Sequence, residues 1–249
     1  QDCRRLLRSL EIEEQQIRHE EFSRAVLGYL AIIFSRFLNR MTTLTYWYIP
    51  GEKVQPTFSR QSLAMTWDFV EINPDNKSSG SWDSNVYDIT NVIEATSFSN
   101  QRVQVEQSSA TSLPYQNDYF DAVLTDPPYY DNVHYADLSD FFYVWLKRAI
   151  GDLFPDLFAT PVTPKGLEVI ASKTRHSSAA VAEEFFEATL FDSFCEIRRV
   201  LKPGGMAVIV YAHKTTEGWE TMLNALVGAG LVVTASWPIH TEMKTRIVA

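Results

Sequence analysis

The chain has 249 residues, 45% of them hydrophobic, which suits one large α/β domain or two smaller ones. Its formal net charge of -9 at pH 7 argues against strong nucleic-acid binding by the whole surface, because phosphate neutralisation needs clustered Lys and Arg. The two cysteines, Cys3 and Cys195, lie far apart, which predicts a reducing, cytoplasmic location and excludes a disulfide framework; no metal site is expected.

The first predicted element is a long helix over about residues 6–41, where apolar residues recur at helical spacing opposite Glu and Arg. Its apolar run at residues 25–34 has about half the length that a bilayer span requires, so we expect a buried helix and no membrane partner. Residues 42–80 are interrupted by proline and glycine but rich in aromatic residues, which indicates a packed, irregular connection. A second helix is predicted over about residues 83–96.

Short strands alternate with helices in the rest of the chain. The predicted strands are RVQVEQ at 102–107, FDAVLTD at 120–126, MAVIVYA at 206–212 and LVVTASW at 231–237, with helices at about 137–150, 181–201 and 218–228. Such alternation predicts a parallel sheet covered by helices on both faces. We therefore expect a helical N-terminal part over residues 1–97 and an α/β part over residues 98–249.

The run LTDPPYYDNVHYADLSDFFYVWLKR begins at Leu124, and its Asp-Pro-Pro-Tyr segment marks the end of a predicted strand. Pro127 and Pro128 cannot donate ladder hydrogen bonds, so the strand must stop before them. Ligands of open parallel sheets bind beyond the carboxyl ends of the strands, where Asp126 lies. The corner offers carbonyl oxygens and a carboxylate as acceptors, and Tyr129 offers a flat ring. This combination suits a planar substrate with an N–H donor, such as an aromatic amine.

Asp-Pro-Pro-Tyr after a strand resembles the signature of S-adenosylmethionine-dependent amino-methyltransferases that act on bases. The runs SSATSLPYQNDYFDAVLTDPPY and VLKPGGMAVIV are similar to the segments around that signature in the same class. The run TDPPYYDNVHYADLSDFFYVWLKR, together with FSRQSLAMTWDFVEINP and GWETMLNALVGAGLVVTASWPIHTE, resembles the large adenine-specific DNA methylases of bacteria and archaea that carry a DUF1156 region and often a zinc ribbon. This resemblance covers most of the chain and implies that residues 98–249 are part of a Rossmann-like methyltransferase core.

Pro127 and Pro128 stiffen the turn. The resemblance also implies roles for three residues of the motif: the Asp126 carboxylate and the Pro127 carbonyl would accept hydrogen bonds from the target amino group. Tyr129 would stack on a base flipped out of the duplex. Two acceptors on the N–H bonds favour a pyramidal nitrogen and direct its lone pair at the methyl sulfonium. Positioning and electrostatics would then supply most of the rate, and the cofactor would supply the methyl group.

Two features depart from the class, and both concern the cofactor S-adenosylmethionine. The class has a Phe-x-Gly-x-Gly turn after its first strand, whereas the only similar run here, GAG at residues 228–230, is typical of a helix C-cap. Ser109 stands before Ala110 where the class usually has an Asp that contacts the adenine ring of the cofactor. Ser109, Ala110 and Asp126 are nevertheless the cofactor-binding residues that the resemblance implies. The glycine turn and two sheet strands lie upstream in the family, so we expect an upstream region of the same protein to be needed.

Further substrate contacts are expected near the motif and in one long loop. The candidates are Tyr130, Asn132, Tyr135, Lys173 and Arg175. The first three either line the target pocket or form a capped loop that leads into the next helix. The two cations belong to the long loop of residues 151–180 and either contact DNA phosphates or lie on a solvated surface. His213 either faces the site or makes a structural hydrogen bond.

Three functions are compatible with these residues. The first is a DNA methyltransferase that flips a base from the duplex and methylates its amino group, in a restriction or phage-defence role that the family would imply. Asp126 favours adenine N6, since enzymes that act on cytosine more often have Ser at that position. The second is methylation of a guanine amino group in RNA, where related motifs also act. The third is a non-catalytic scaffold, which the missing glycine turn supports and the intact motif opposes.

Overall fold

The computed structural model describes residues 20–59, 65–98, 103–213 and 215–239. Over these ranges the chain is a mixed α/β protein with five α-helices and two sheets of two strands each, which confirms the predicted α/β class. A full Rossmann-like sheet covered on both faces stays a prediction. The helices are α1 (Glu20–Leu38), α2 (Trp82–Thr96), α3 (Tyr135–Ile150), α4 (Ala179–Val200) and α5 (Thr216–Gly228). The strands are β1 (Tyr46–Tyr48), β2 (Lys53–Gln55), β3 (Phe120–Thr125) and β4 (Leu201–Ile209). Within the described ranges, no helix has the length and apolarity of a membrane span.

The described residues form two compact units. The first unit comprises the residues up to Val103 together with Tyr135–Pro164, and the second comprises Gln104–His134 and the residues from Lys165 onward. Helix α3 therefore belongs to the first unit, although it lies inside the segment expected to be catalytic. The division into parts 1–97 and 98–249 stays a prediction.

The first unit is built around α1, which packs against α2 and α3. Ile33 and Phe34 are buried on its inner face, and the Phe34 ring meets the Trp145 ring edge-on at 6.2 Å. Phe37 meets Trp82 in the same way at 5.9 Å. Such edge-to-face pairs add to the hydrophobic gain from burial. The long predicted helix is confirmed between Glu20 and Leu38, and its first part, residues 6–19, lies outside the described residues.

The aromatic-rich segment after α1 is a packed connection in its described part. Strands β1 and β2 form a short antiparallel hairpin joined by a 3-10 turn. Phe58 packs against Phe141 and Phe142 of α3 at 5.4 and 5.3 Å. The buried Thr45 hydroxyl donates to the Val70 carbonyl at 2.8 Å, which satisfies a polar group that burial would otherwise penalise.

The second unit contains the parallel pair of strands β3 and β4, and one face of this pair packs on α4 and α5. Phe186, Phe194 and Met222 are fully buried at the centre of this core. The residues Val123, Ala207, Ile209 and Tyr211 alternate along the strands and pack onto it. Ser178 caps the N-terminus of helix α4, and its hydroxyl accepts the Val181 N–H.

Strand β4 begins earlier than predicted, at Leu201 rather than at residue 206. Phe120 pairs with Leu201 and Ala122 pairs with Met206, so the Lys-Pro-Gly-Gly run is accommodated as an irregularity within the ladder. Gly204 has φ +78, a left-handed conformation that glycine adopts without a steric penalty. The Lys-Pro-Gly-Gly run therefore interrupts the strand instead of preceding it.

Two predicted strands are wrong within the described residues. Residues 103–107 and 231–237 have extended or irregular backbone without a ladder partner. Val103, Val105 and Val232 are exposed, so these apolar side chains are not used for burial. A strand is defined by the backbone groups that it pairs, and no neighbouring strand in the described part offers them. The described sheet at this position thus has two strands.

We predict that Phe194→Ala lowers the free energy of unfolding by about 3 to 5 kcal/mol, because it leaves a cavity in the core under β3 and β4. Phe191→Ala, on the same helix, is the matched control, since Phe191 is 39% exposed and Phe194 only 1%. Urea denaturation followed by circular dichroism measures both. Equal losses in the two variants would contradict the core assigned to α4.

Candidate functional site at the ends of β3 and β4

The Asp-Pro-Pro-Tyr corner lies directly beyond the carboxyl end of β3. The Val210 N–H donates to the Thr125 carbonyl at 2.9 Å, which extends the parallel ladder by one step past the end of β4. The chain leaves both strands side by side, so the residues after Thr125 and those after Val210 are brought together. Asp126 is exposed and Pro127 is half-buried. The predicted location of the motif at a strand end is confirmed.

Five aromatic rings meet at this corner, and we call them the aromatic cluster: Tyr129, Tyr130, Tyr211, His213 and Trp219. Tyr211 is central, with its ring edge-to-face to Tyr129 at 5.5 Å and to Trp219 at 5.4 Å, and parallel to His213 at 6.2 Å. Tyr130 meets His213 edge-on at 5.6 Å. The cluster thus joins the loop after β3, the loop after β4 and the start of α5.

The start of α5 holds this cluster together. A Cβ on Gly218 would lie 2.1 Å from the His213 Nδ1 atom, so the ring packs where only glycine leaves room. The Trp219 indole N–H donates to the His213 carbonyl at 3.0 Å, and the Tyr211 hydroxyl donates to the Gly218 carbonyl at 3.3 Å. The Thr215 N–H donates to Nδ1 of His213 at 3.2 Å. His213 therefore makes structural hydrogen bonds and also lies beside the site.

Tyr211 and Trp219 are site residues that the sequence analysis did not single out. The sequence places Tyr211 in a predicted strand and Trp219 in a predicted helix. The available signal was positional, because both follow the end of a strand that runs parallel to the one that carries Asp126. Burial raises the pKa of the Tyr211 phenol, so its hydroxyl is neutral and can donate at physiological pH.

Tyr130 points away from solvent toward the core of the second unit. Its φ is +58, its carbonyl accepts the Ala171 N–H at 3.1 Å, and its ring meets Phe186 edge-on at 5.2 Å. Burial raises the pKa of its phenol, and a hydrogen bond to the Glu183 carboxylate raises it further. These contacts fix the path of the chain after Tyr129. A substrate contact of Tyr130 stays a prediction.

The other predicted substrate residues lie in three different settings. The Asn132 N–H donates to the Tyr129 carbonyl at 3.1 Å and closes a turn directly after the motif. Tyr135 is the exposed first residue of α3 and belongs to the first unit. Lys173 is exposed on the long loop. Their contacts with a substrate stay predictions.

Arg175 is already engaged by a carboxylate of its own loop. Its guanidinium lies 2.5 Å from the Glu168 carboxylate, both side chains are largely buried, and it also donates to the Lys165 carbonyl at 3.3 Å. A phosphate would have to compete with Glu168 for this cation, which makes Lys173 the more accessible of the two predicted cations. Contact of either with DNA stays a prediction.

Ser109 and Ala110 lie in an exposed turn upstream of β3. The Ser109 hydroxyl bonds to the Thr111 hydroxyl at 2.8 Å, so it is used inside its own turn. The sequence has no Phe-x-Gly-x-Gly turn, and residues 103–107, just before Ser109, do not form the predicted strand. The described residues therefore do not fit S-adenosylmethionine by themselves. No group of metal-ligating side chains occurs in the described ranges.

Arg199 anchors the loop that leads into β3 onto helix α4. Its guanidinium donates to the carbonyls of Leu113 and Tyr115 at 3.1 and 2.7 Å and to the Asn117 side chain at 3.0 Å. It also pairs with Glu196 at 2.8 Å, and Glu196 accepts the Leu113 N–H at 2.9 Å. These hydrogen bonds lower the pKa of Glu196 to about 2, the bond from Arg199 contributing most.

A separate cleft of about 400 Å³ lies on α4 and α5. Its lining includes the carboxylates of Glu187, Glu217 and Glu220, and none of the predicted site residues lines it. Three carboxylates disfavour a phosphate ligand there. The cleft is thus distinct from the corner at Asp126.

The lowered pKa of the Glu196 carboxyl predicts how the free energy of unfolding depends on pH. The pKa of the folded state lies below the ordinary value of 4.5, so the stabilisation is complete above about pH 4.5 and is lost as the pH falls toward about 2. In Glu196→Gln this contribution is absent. Between pH 5 and pH 3, we expect the urea midpoint of the variant to fall less than that of the wild type. Glu184→Gln, at an exposed position of the same helix, is the control and should follow the wild type.

Comparisons with known proteins give no relative from which a function could be transferred. No family model, no curated protein and no solved structure matches the chain. The geometry of the corner and the residues of its motif are therefore what indicates a function.

Proposed function

We propose that this chain carries the base-recognition part of an S-adenosylmethionine-dependent DNA methyltransferase that acts on the exocyclic amino group of a flipped adenine, at N6. One observation carries the proposal. The Asp126 carboxylate and the Pro127 carbonyl follow a parallel strand at its carboxyl end, where sheets of this kind bind ligands, and an aromatic ring, Tyr129, follows them directly. The resemblance of the motif to base amino-methyltransferases gives the same substrate class.

The chemistry of the corner matches an aromatic amine. The exocyclic amino group has two N–H donors, and the corner presents a carboxylate and a proline carbonyl, both of which only accept. A carboxylate acceptor strengthens such a hydrogen bond relative to a neutral one. Asp126 and Pro127 would thus fix both N–H bonds and leave the nitrogen lone pair directed away from the corner.

Tyr129 would offset part of the cost of extruding the base. Unstacking and unpairing one base costs a few kcal/mol, whereas stacking on an aromatic side chain contributes about 1 to 3 kcal/mol. Stacking on the Tyr129 ring does not by itself offset an extrusion cost at the upper end of this range. The hydrogen bonds of Asp126 and Pro127 are therefore needed as well. The two interactions select a planar base that carries an amino group.

The cofactor would supply the methyl group, and we propose that an upstream region of the same protein supplies its glycine turn and the missing strands of a Rossmann-like sheet. The bare face of the β3–β4 pair supports this, because Leu124 and Met206 are 76% and 65% exposed there. Parallel strands are normally covered on both faces. Phosphate contacts would come from local cations such as Lys173 or from that region, and the cysteine usage favours a cytoplasmic location.

We expect Asp126→Ala to lower methyl transfer by about a hundredfold or more, because the variant loses the charged acceptor that orients the amino group. Its urea midpoint should stay close to that of the wild type, since Asp126 is exposed. The measurement is tritium transfer from labelled S-adenosylmethionine to unmethylated duplex DNA and to transfer RNA, with the protein that includes the upstream region.

Asp121→Ala is the matched control, since it removes a carboxylate near the start of β3, away from the corner at Asp126. Asp121 is exposed and pairs with Lys202 at 2.7 Å, so only a small loss of stability and no loss of transfer is expected. Undiminished transfer by Asp126→Ala would remove this residue from the mechanism. Label in transfer RNA alone would favour the guanine enzyme, and the absence of both label and calorimetric binding of the cofactor would favour a scaffold.

A further inference from the structure

We propose that Tyr211 is a positioning residue of the base site, which holds the Tyr129 ring in the orientation in which it stacks on the extruded base. This inference rests on the proposed function and adds a residue to its site. The Asp-Pro-Pro-Tyr motif does not contain Tyr211, which comes from the loop after the neighbouring strand.

The register of the strands brings Tyr211 to the corner. The Val210 N–H bonds to the Thr125 carbonyl, so Tyr211 and Asp126 are the first residues past the last ladder hydrogen bond on their two strands. The Tyr211 ring lies 5.5 Å from the Tyr129 ring at an interplanar angle of 79°. Both values are within the range of favourable edge-to-face pairs. The contact between the two rings is therefore set by the ladder and not by the sequence of the motif.

Tyr211 is itself held on several sides, which is what a positioning residue requires. Trp219 meets its ring at 5.4 Å and 87°, and its hydroxyl donates to the Gly218 carbonyl at 3.3 Å. The ring also packs against the core under the sheet. Tyr129 follows two prolines on a connecting loop. A ring on a loop binds a flat base best when its side-chain angles are already fixed, because ordering on binding costs free energy.

The proposal assigns the effect to the ring of Tyr211 rather than to its hydroxyl. The hydroxyl contact at 3.3 Å is long for an O–H donor, whereas the ring contacts with Tyr129 and Trp219 are within the favourable range. Phenylalanine keeps the ring and loses only the hydroxyl. Leucine keeps apolar bulk and loses the ring.

The test is a double-mutant cycle on methyl transfer, measured with the same protein and labelled cofactor as above. Tyr211→Leu should lower kcat by about ten- to a hundredfold through misplacement of the base. Tyr211→Phe should restore most of the rate, and the KM for S-adenosylmethionine should not change. In a Tyr129→Ala background, Tyr211→Leu should cost no more than about twofold further, because a residue that acts through Tyr129 has nothing left to position.

Tyr119→Leu is the control for the removal of an aromatic ring. Tyr119 precedes the other end of β3, is 45% exposed, and should leave kcat unchanged. Equal losses from Tyr211→Leu in both Tyr129 backgrounds would overturn the positioning role, as would full activity of Tyr211→Leu, while the methyltransferase proposal would stand in either case. No transfer by the wild-type protein to any nucleic acid would overturn the methyltransferase proposal, and the role of Tyr211 with it.

Discussion

The parallel ladder between β3 and β4 is the constraint on which the candidate site depends. Its last hydrogen bond, from the Val210 N–H to the Thr125 carbonyl, decides which residues of two distant segments become neighbours. A shift of one residue would turn alternate side chains to the opposite face and move Tyr211 away from Tyr129. The core residues Phe186 and Phe194 pack beneath this pair, and Arg199 fixes the loop that enters β3. The register of the ladder, the core packing and the hydrogen bonds of Arg199 together determine the geometry of the corner.

The local parts of this geometry could be predicted from the sequence, since they depend on short-range chemistry. Helical periodicity gave α2, α4 and α5 to within a few residues, and the two prolines marked the end of β3. Which strands pair could not be predicted, because pairing depends on partners that lie far along the chain. RVQVEQ alternates as a strand does, yet its valines are exposed and its backbone has no partner among the described residues. The compact run LVVTASW has no partner among the described residues either, so neither pattern identifies a paired strand by itself.

The site residues likewise divide into those set by the local sequence and those set by contacts between distant segments. Asp126 and Tyr129 belong to one contiguous motif, so their proximity follows from the chain itself. Tyr211 and Trp219 join them only through the ladder and the start of α5, which no local pattern encodes. Long-range contacts of this kind make the site larger than its motif.

An acidic chain that handles DNA has to separate the contact with the base from the contact with phosphates. The base carries no net charge, so a carboxylate such as Asp126 can approach its amino group without the repulsion that a phosphate would experience. Over the whole chain, 31 acidic against 22 basic residues disfavour a broad phosphate surface. Glu168 further reduces the availability of Arg175. Under the proposed function, two acceptors and a ring would discriminate the base, whereas most of the affinity for the duplex backbone would come from a more basic surface.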